Sequence, residues 1–289
     1  MNFTWIVQTR ARPHLLLDTI KTSLPNMVRP DSRLMLQVDD DDALTLHHLS
    51  KLPTDKRIVV SVKPREDSRG EKYDRALTEC PSDLYLLGVD HGALRTPGFD
   101  QMMIDAAQIY PDGIGCVYTP MINESFPGLQ AITARLAEKI GYLYSHEYPF
   151  WFIDHELDDI ARMIGRFTFV AVHLDCGSKP GKSIRLRDLE FWTLYFDVAT
   201  IYRRELARKI IMDPEFQCPE WQKKMMLMWF QVTEARSFNI NNCVRAHAET
   251  VERARGEPRL PPDAGYVRIK DKAEAILAGR VAELQKQAA

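Results

Sequence analysis

The chain has 289 residues, 45% of them hydrophobic and 27% charged, with a formal net charge of -2. That length suits one large α/β domain with an appendage or two small domains, and the near-neutral balance excludes a chain-wide basic surface for nucleic acid. The longest apolar runs are too short for a bilayer, the first residues lack the basic and apolar regions of a secretory signal, and the five cysteines are scattered and never spaced CxxC, which points to reduced thiols of a cytoplasmic protein.

In chain order, Phe3 to Gln8 is a β-branched and aromatic run that predicts a buried strand. Thr9-Arg10-Ala11-Arg12-Pro13 breaks it, and His14 to Leu24 repeats apolar residues at helical spacing. Leu34 to Val38 predicts a second strand running into Asp39-Asp40-Asp41-Asp42, followed by a short helix over Leu44 to Leu49. Ile58 to Val62 is a third strand, Arg69-Gly70 opens a polar segment, and Lys72 to Thr78 is helical. Leu84 to Val89 is a fourth strand, which stops at Asp90-His91-Gly92 before the turn Thr96-Pro97-Gly98. Strands alternating with helices predict a mostly parallel sheet with helices on both faces, and the polar strand ends mark the rim where such sheets bind ligands.

Beyond this rim, Gly98 to Tyr110 predicts a helix, Ile114 to Tyr118 a strand, and Leu129 to Ile140 a helix closed by Gly141. An aromatic stretch, Tyr142 to Phe152, leads to Asp154, which opens a helix reaching Ile164 and Gly165. Phe167 to Leu174 predicts a strand containing His173, followed by the loop Asp175 to Lys182. From residue 186 the pattern becomes helical, over Leu189 to Met212, Trp221 to Val232, Asn239 to Arg255 and Asp271 to Gln287, with a proline-rich linker at Glu257 to Asp263. Residues 1–185 therefore read as one α/β domain and 186–289 as a helical extension.

The opening VQTRARPHLLLDTIKTSL and the later LGVDHGALRTPGFD resemble the first strand and helix and the acidic strand end of glycosyltransferases with the GT-A fold, family two in particular. The resemblance covers about residues 3 to 190 and includes the order of Asp39, Arg69-Gly70, Asp154 and His173. It implies transfer of a sugar from a nucleotide-diphosphate donor, a UDP-sugar in the first instance, with a divalent ion and inversion at the anomeric carbon.

Under that resemblance Thr9, Arg10 and Arg12 line the nucleotide pocket, and Asp39 accepts a hydrogen bond from the nucleobase imide, with Asp40 as a further candidate. Arg69 and Lys72, beside Arg75, hold donor phosphates or hydroxyls; a solvated helix face is the alternative. Asp90 is the ligand of Mn2+ or Mg2+, an ion suited to carboxylate and phosphate oxygens. The family has Asp-x-Asp or Asp-Asp here, where this chain has Val89-Asp90-His91-Gly92 with one carboxylate, so His91 and His173 are the candidates to complete the site or reach the diphosphate; both also suit packing roles. Asp154 is the general base for the acceptor hydroxyl, with Glu156, Asp158 and Asp159 as further candidates; a helix N-cap is its alternative role, and both can hold.

The segment Cys176 to Ser183 ends in Gly-Lys-Ser, but Cys176 stands at the first glycine position of a phosphate-binding P-loop, so that motif fails. Lys182, with Lys179 and Arg185, suits a basic loop closing over the donor diphosphate. The acceptor is open among a glycan, a lipid-linked sugar, a protein and a modified DNA base. The missing acidic residue also leaves room for a catalytically silent nucleotide-sugar binder of the same fold, and the helical extension suits a homo-oligomer contact.

Overall fold

In the computed structural model the described residues are 1–120, 127–150, 152–176, 188–229 and 264–288. The elements are β1 (Phe3–Gln8), α1 (Pro13–Ser23), β2 (Arg33–Asp39), α2 (Ala43–Leu49), β3 (Ile58–Lys63), α3 (Arg69–Glu79), β4 (Leu84–Val89), β5 (Gly92–Leu94), α4 (Phe99–Ala107), β6 (Cys116–Pro120), β7 (Pro127–Thr133), α5 (Ala134–Ile140), α6 (Ile153–Met163), β8 (Phe167–Phe169), β9 (Leu174–Cys176), α7 (Leu189–Val198), α8 (Thr200–Met212), α9 (Glu220–Trp229) and α10 (Ala264–Ala288).

β1 is buried along its whole length because it is covered on both faces. Alternation sends Phe3, Trp5 and Val7 to one side, into a core with Leu16 and Ile20 of α1 and Phe99 and Met103 of α4. The Phe99 ring meets Phe3 and Trp5 edge-on, with centroids 6.1 and 5.9 Å apart. Burying each such side chain stabilises the fold by about 1.5–3 kcal/mol. On the other side, the Gln8 amide donates to the Arg69 carbonyl at the start of α3 (2.9 Å).

The seven-stranded sheet has the order β3-β2-β1-β4-β7-β6-β8. β3, β2, β1 and β4 are parallel, β7 runs antiparallel to β4 and β6, and β8 is parallel to β6. The chain builds outward from β1 through β2 to β3, then returns to lay β4 on the other side of β1. This reversal makes the carboxyl ends of β1 and β4 a topological switch point, the place where open α/β sheets leave a crevice for ligands.

The structure departs from sequence expectation in three places. Leu129 to Thr133 is strand, not helix: the apolar spacing Leu129-Ile132-Leu136-Ile140 runs across a strand and the helix after it. Pairing with β4 and β6 decides the strand, and the Thr133 hydroxyl, accepting from Leu136 N, marks where the helix begins. His173 lies between β8 and the short β9, not inside one long strand. β9 pairs instead with β5, an element absent from the sequence reading.

The chain divides into two compact units, Met1–Tyr144 with Arg166–Lys179 and Ser145–Gly165 with Pro180–Ala289. The sheet lies in the first. In the second, Tyr148, Phe152, Trp192, Tyr195 and Phe196 form an aromatic cluster, with Phe152 and Phe196 stacked at 5.0 Å. Arg203 lies 3.6 Å over the Phe196 ring and donates to Asp159 at 2.7 Å, a buried ion pair that fixes α8 against α6. No helix among the described residues is long and apolar enough to cross a membrane.

Candidate functional site

The loop after β1 reaches both neighbouring strand ends. Its first residue, Thr9, donates from Oγ1 to Asp90 Oδ2 at the end of β4 (3.0 Å). Arg10 turns the other way, giving Nη1 to Asp39 at the end of β2 (2.8 Å) and a two-pronged contact to Asp41 (2.6 and 2.8 Å). Ala11 then adopts a positive φ of 53°, which brings its N–H to Asp42 at 2.7 Å. Asp42 also caps α2, accepting from the N–H and hydroxyl of Thr45. Arg12 swings back, with Nη2 2.8 Å from Asp90 Oδ1, and Pro13 starts α1 with its fixed φ. The loop therefore sends successive charged side chains to opposite sides of the switch point.

Asp39 is buried, and its carboxylate is held by Arg10 and Lys72, with Arg75 at 4.0 Å. Burial, opposed by Asp39, lowers the Lys72 pKa below the ordinary lysine value. The guanidinium of Arg75 is filled by Glu66 and by the carbonyls of Val38 and Pro64. Arg69 donates to the Gln8 side chain at 3.2 Å. The neighbouring Asp40 is exposed. At this strand end Asp40 and Asp41 are exposed, Asp41 being engaged by Arg10, while Asp39 acts as the internal counter-ion of the basic cluster.

Asp90 is wholly buried. Thr9 occupies one oxygen; Arg12 and the His91 ring, whose Nδ1 lies 3.2 Å away, occupy the other. Its carbonyl accepts from Thr19 of α1 at 2.9 Å, a contact for which the sequence offered only a polar residue on a helix face. The solvent-facing groups over Asp90 are cationic or imidazole: the Arg12 side chain is 31% exposed and that of His91 23%.

The expected metal set is not assembled. Among the described residues no three His, Cys, Asp or Glu side chains come together as ion ligands. His173 is exposed, its backbone N–H donating to Thr96 and its carbonyl accepting from Arg95. For Asp90 to bind an ion, the ion would have to take the place of the Arg12 guanidinium on its carboxylate. As it stands, the carboxylate of Asp90 is paired with Arg12, and His173 does not join it in an ion-ligand set among the described residues. Lys182 lies outside the described residues.

Asp154 belongs to the second unit, near the start of α6. It is not the N-cap; Phe152 is, with a φ of 68°. Desolvation is the largest single influence on the Asp154 carboxyl and works against its ionisation. The His155 charge, with hydrogen bonds from the His155 ring and backbone N–H (both 2.9 Å), outweighs it and holds the pKa below the ordinary carboxylate value. The side chain is 43% exposed and accessible to proton exchange.

Asp100 closes the Thr96-Pro97-Gly98 motif structurally. Its buried carboxylate accepts from Val28 N, Arg29 N and Ser32 Oγ at 3.1, 3.0 and 2.8 Å, pinning α4 to the segment before β2.

With this geometry established, comparisons with known proteins become informative. S. aureus TarS 1-349 in complex with UDP superimposes with a TM-score of 0.54 at 13% identity, over 80% of this chain and 71% of that one. Its complex with UDP-GlcNAc gives 0.53 at 12%, over 80% and 72%. The mannosyltransferase PcManGT from Pyrobaculum calidifontis, in complex with GDP-Man and Mn2+, gives 0.50 at 14%, over 97% and 79%. The fold is GT-A. At such identities the likeness establishes the fold alone, and no family model and no curated protein matches the sequence.

Proposed function

We propose that this protein is a glycosyltransferase that moves a sugar from a nucleotide-diphosphate donor to an acceptor hydroxyl. The observation that carries the reading is the convergence of Thr9, Arg10, Arg12, Asp39 and Asp90 at the β1/β4 switch point. Fold neighbours bound to UDP, UDP-GlcNAc and GDP-Man support a nucleotide sugar as donor. Exposed Asp40 is the carboxylate we assign to the nucleobase imide, in favour of a uridine donor.

Chemically, the acceptor oxygen forms a bond to the anomeric carbon as the bond from that carbon to the diphosphate oxygen breaks. The electron pair of the broken bond leaves with the diphosphate, and attack from the opposite face inverts the centre. The acceptor proton passes to a base, for which Asp154 is the proposed residue: it is exposed enough to exchange protons and is held ionised. One fold neighbour was solved with Mn2+; in this chain the Asp90 carboxylate is compensated by Arg12.

The test is release of nucleoside diphosphate from a panel of UDP- and GDP-sugars, with wild type and Asp154→Asn compared. Turnover that falls by about a hundred-fold or more in the variant is expected for loss of a general base. Binding of nucleotide without turnover of any sugar would favour a silent binder, the reading that the lone carboxylate of Val89-Asp90-His91-Gly92 supports. No binding at all would reject the proposal.

A further inference from the structure

The cations around the switch point differ in how many groups hold them. Arg10 is held by two carboxylates, Asp39 and Asp41, the guanidinium of Arg75 by Glu66 and two carbonyls, Arg69 donates to the Gln8 side chain, and Lys72 is committed to Asp39. Arg12 differs. Its Nη2 rests on Asp90, while its Nε and Nη1 carry no hydrogen bond to the described residues. Its side chain is 31% exposed, above a carboxylate that has no exposure at all.

Resting on the proposed function, we infer that Arg12 is the cationic contact to the donor diphosphate and that Asp90 is a positioning residue that aims it, so that this chain binds the donor diphosphate without a divalent ion. The chemistry is direct. A guanidinium is permanently charged and presents a planar fork of N–H donors that matches phosphate oxygens. One edge is fixed by Asp90, which is itself oriented by Thr9 and His91; the other edge is left for the ligand. As the sugar leaves, the diphosphate gains the electron pair of the broken bond, and a charge held at a fixed position stabilises it without reorganisation.

The experiment is a calorimetric titration of the full chain with UDP, UMP and uridine, in EDTA and then with added MnCl2, together with donor turnover under both conditions. Wild type should bind UDP in EDTA, with affinity and turnover changed less than about three-fold by Mn2+. Arg12→Ala and Asp90→Asn should each weaken UDP binding about ten- to hundred-fold, the loss expected for a charge-assisted contact. Uridine binding should hold, because the effect is on phosphate recognition. Arg12→Lys should recover only part, since an ammonium lacks the fork. Asp90→Asn is judged only where its melting curve shows it folded; Arg12→Ala, at a partly exposed position, keeps the test decisive if it does not. If UDP binds only with Mn2+, or if Arg12→Ala loses UDP and uridine equally, the inference falls while the proposed function stands. If UDP binds under neither condition, the inference falls, and the proposed function falls with it only if GDP also fails to bind.

Discussion

Replacing Asp39 by asparagine keeps the shape of the side chain and removes its charge. The residue is 2% exposed, and Lys72 and Arg75 beside it are 8% and 4% exposed. Removing one partner of a buried ion pair costs about 3–5 kcal/mol. Arg10 keeps Asp41 and Arg75 keeps Glu66, so the loss falls mainly on the Lys72 ammonium, and the lower figure of about 3 kcal/mol applies. For a unit of this size that is a fall in melting temperature of about 6–12 °C. Scanning calorimetry at neutral pH would measure it, with Asp41→Asn as the control; that exposed, salt-screened contact should leave the transition almost unmoved. Adding Lys72→Met to Asp39→Asn should recover much of the loss, because the stranded charge is then gone. The pH dependence has a definite sign. With the Lys72 pKa lowered in the folded state, chiefly by burial, the unfolded chain binds more protons between that lowered value and the ordinary one, so stability rises with pH across this window. If Asp39→Asn melts no earlier than Asp41→Asn, the assignment of Asp39 as internal counter-ion is wrong.

Two further predictions concern the core beside the site and the proposed base. At Gly88 an added Cβ would lie 2.3 Å from Trp5 Nε1 and 2.7 Å from the Ile6 carbonyl oxygen, so Gly88→Ala should destabilise the first unit by about 1–3 kcal/mol or more, read as an earlier melting transition. His155→Leu removes the charge and ring hydrogen bond that lower the Asp154 pKa and leaves desolvation to act, so the carboxyl should titrate above its wild-type value in a carbon-detected NMR titration. In wild type this depressed pKa contributes stability that is present above the ordinary carboxylate value and is lost as pH falls through the lowered one; in His155→Leu that acid-range loss should shrink. An unchanged titration would show that His155 does not set the ionisation of Asp154.

The strands around the switch point were legible in sequence because their signals are local. FTWIVQ, RLMLQV and LYLLGV are apolar runs bounded by polar breaks, and a parallel sheet covered on both faces selects for that pattern. So were the residues of the rim: Thr9, Arg10, Arg12, Asp39 and Asp90 stand where strands end, and position on the chain alone shows it. What each does there was not legible, because it depends on which group arrives from another strand. Asp39 and Asp90 look alike in sequence, yet one collects Arg10 and Lys72 and the other Thr9, Arg12 and His91. Strand order decides that partition, by setting β1 between β2 and β4 so that its following loop can reach both. The same long-range pairing made Leu129–Thr133 a strand against its helical spacing and drew β5 and β9 together across 80 residues of chain. Apolar periodicity is a property of neighbours in sequence; the charge state, accessibility and partner of a buried carboxylate are properties of neighbours in space, and only the folded chain supplies those.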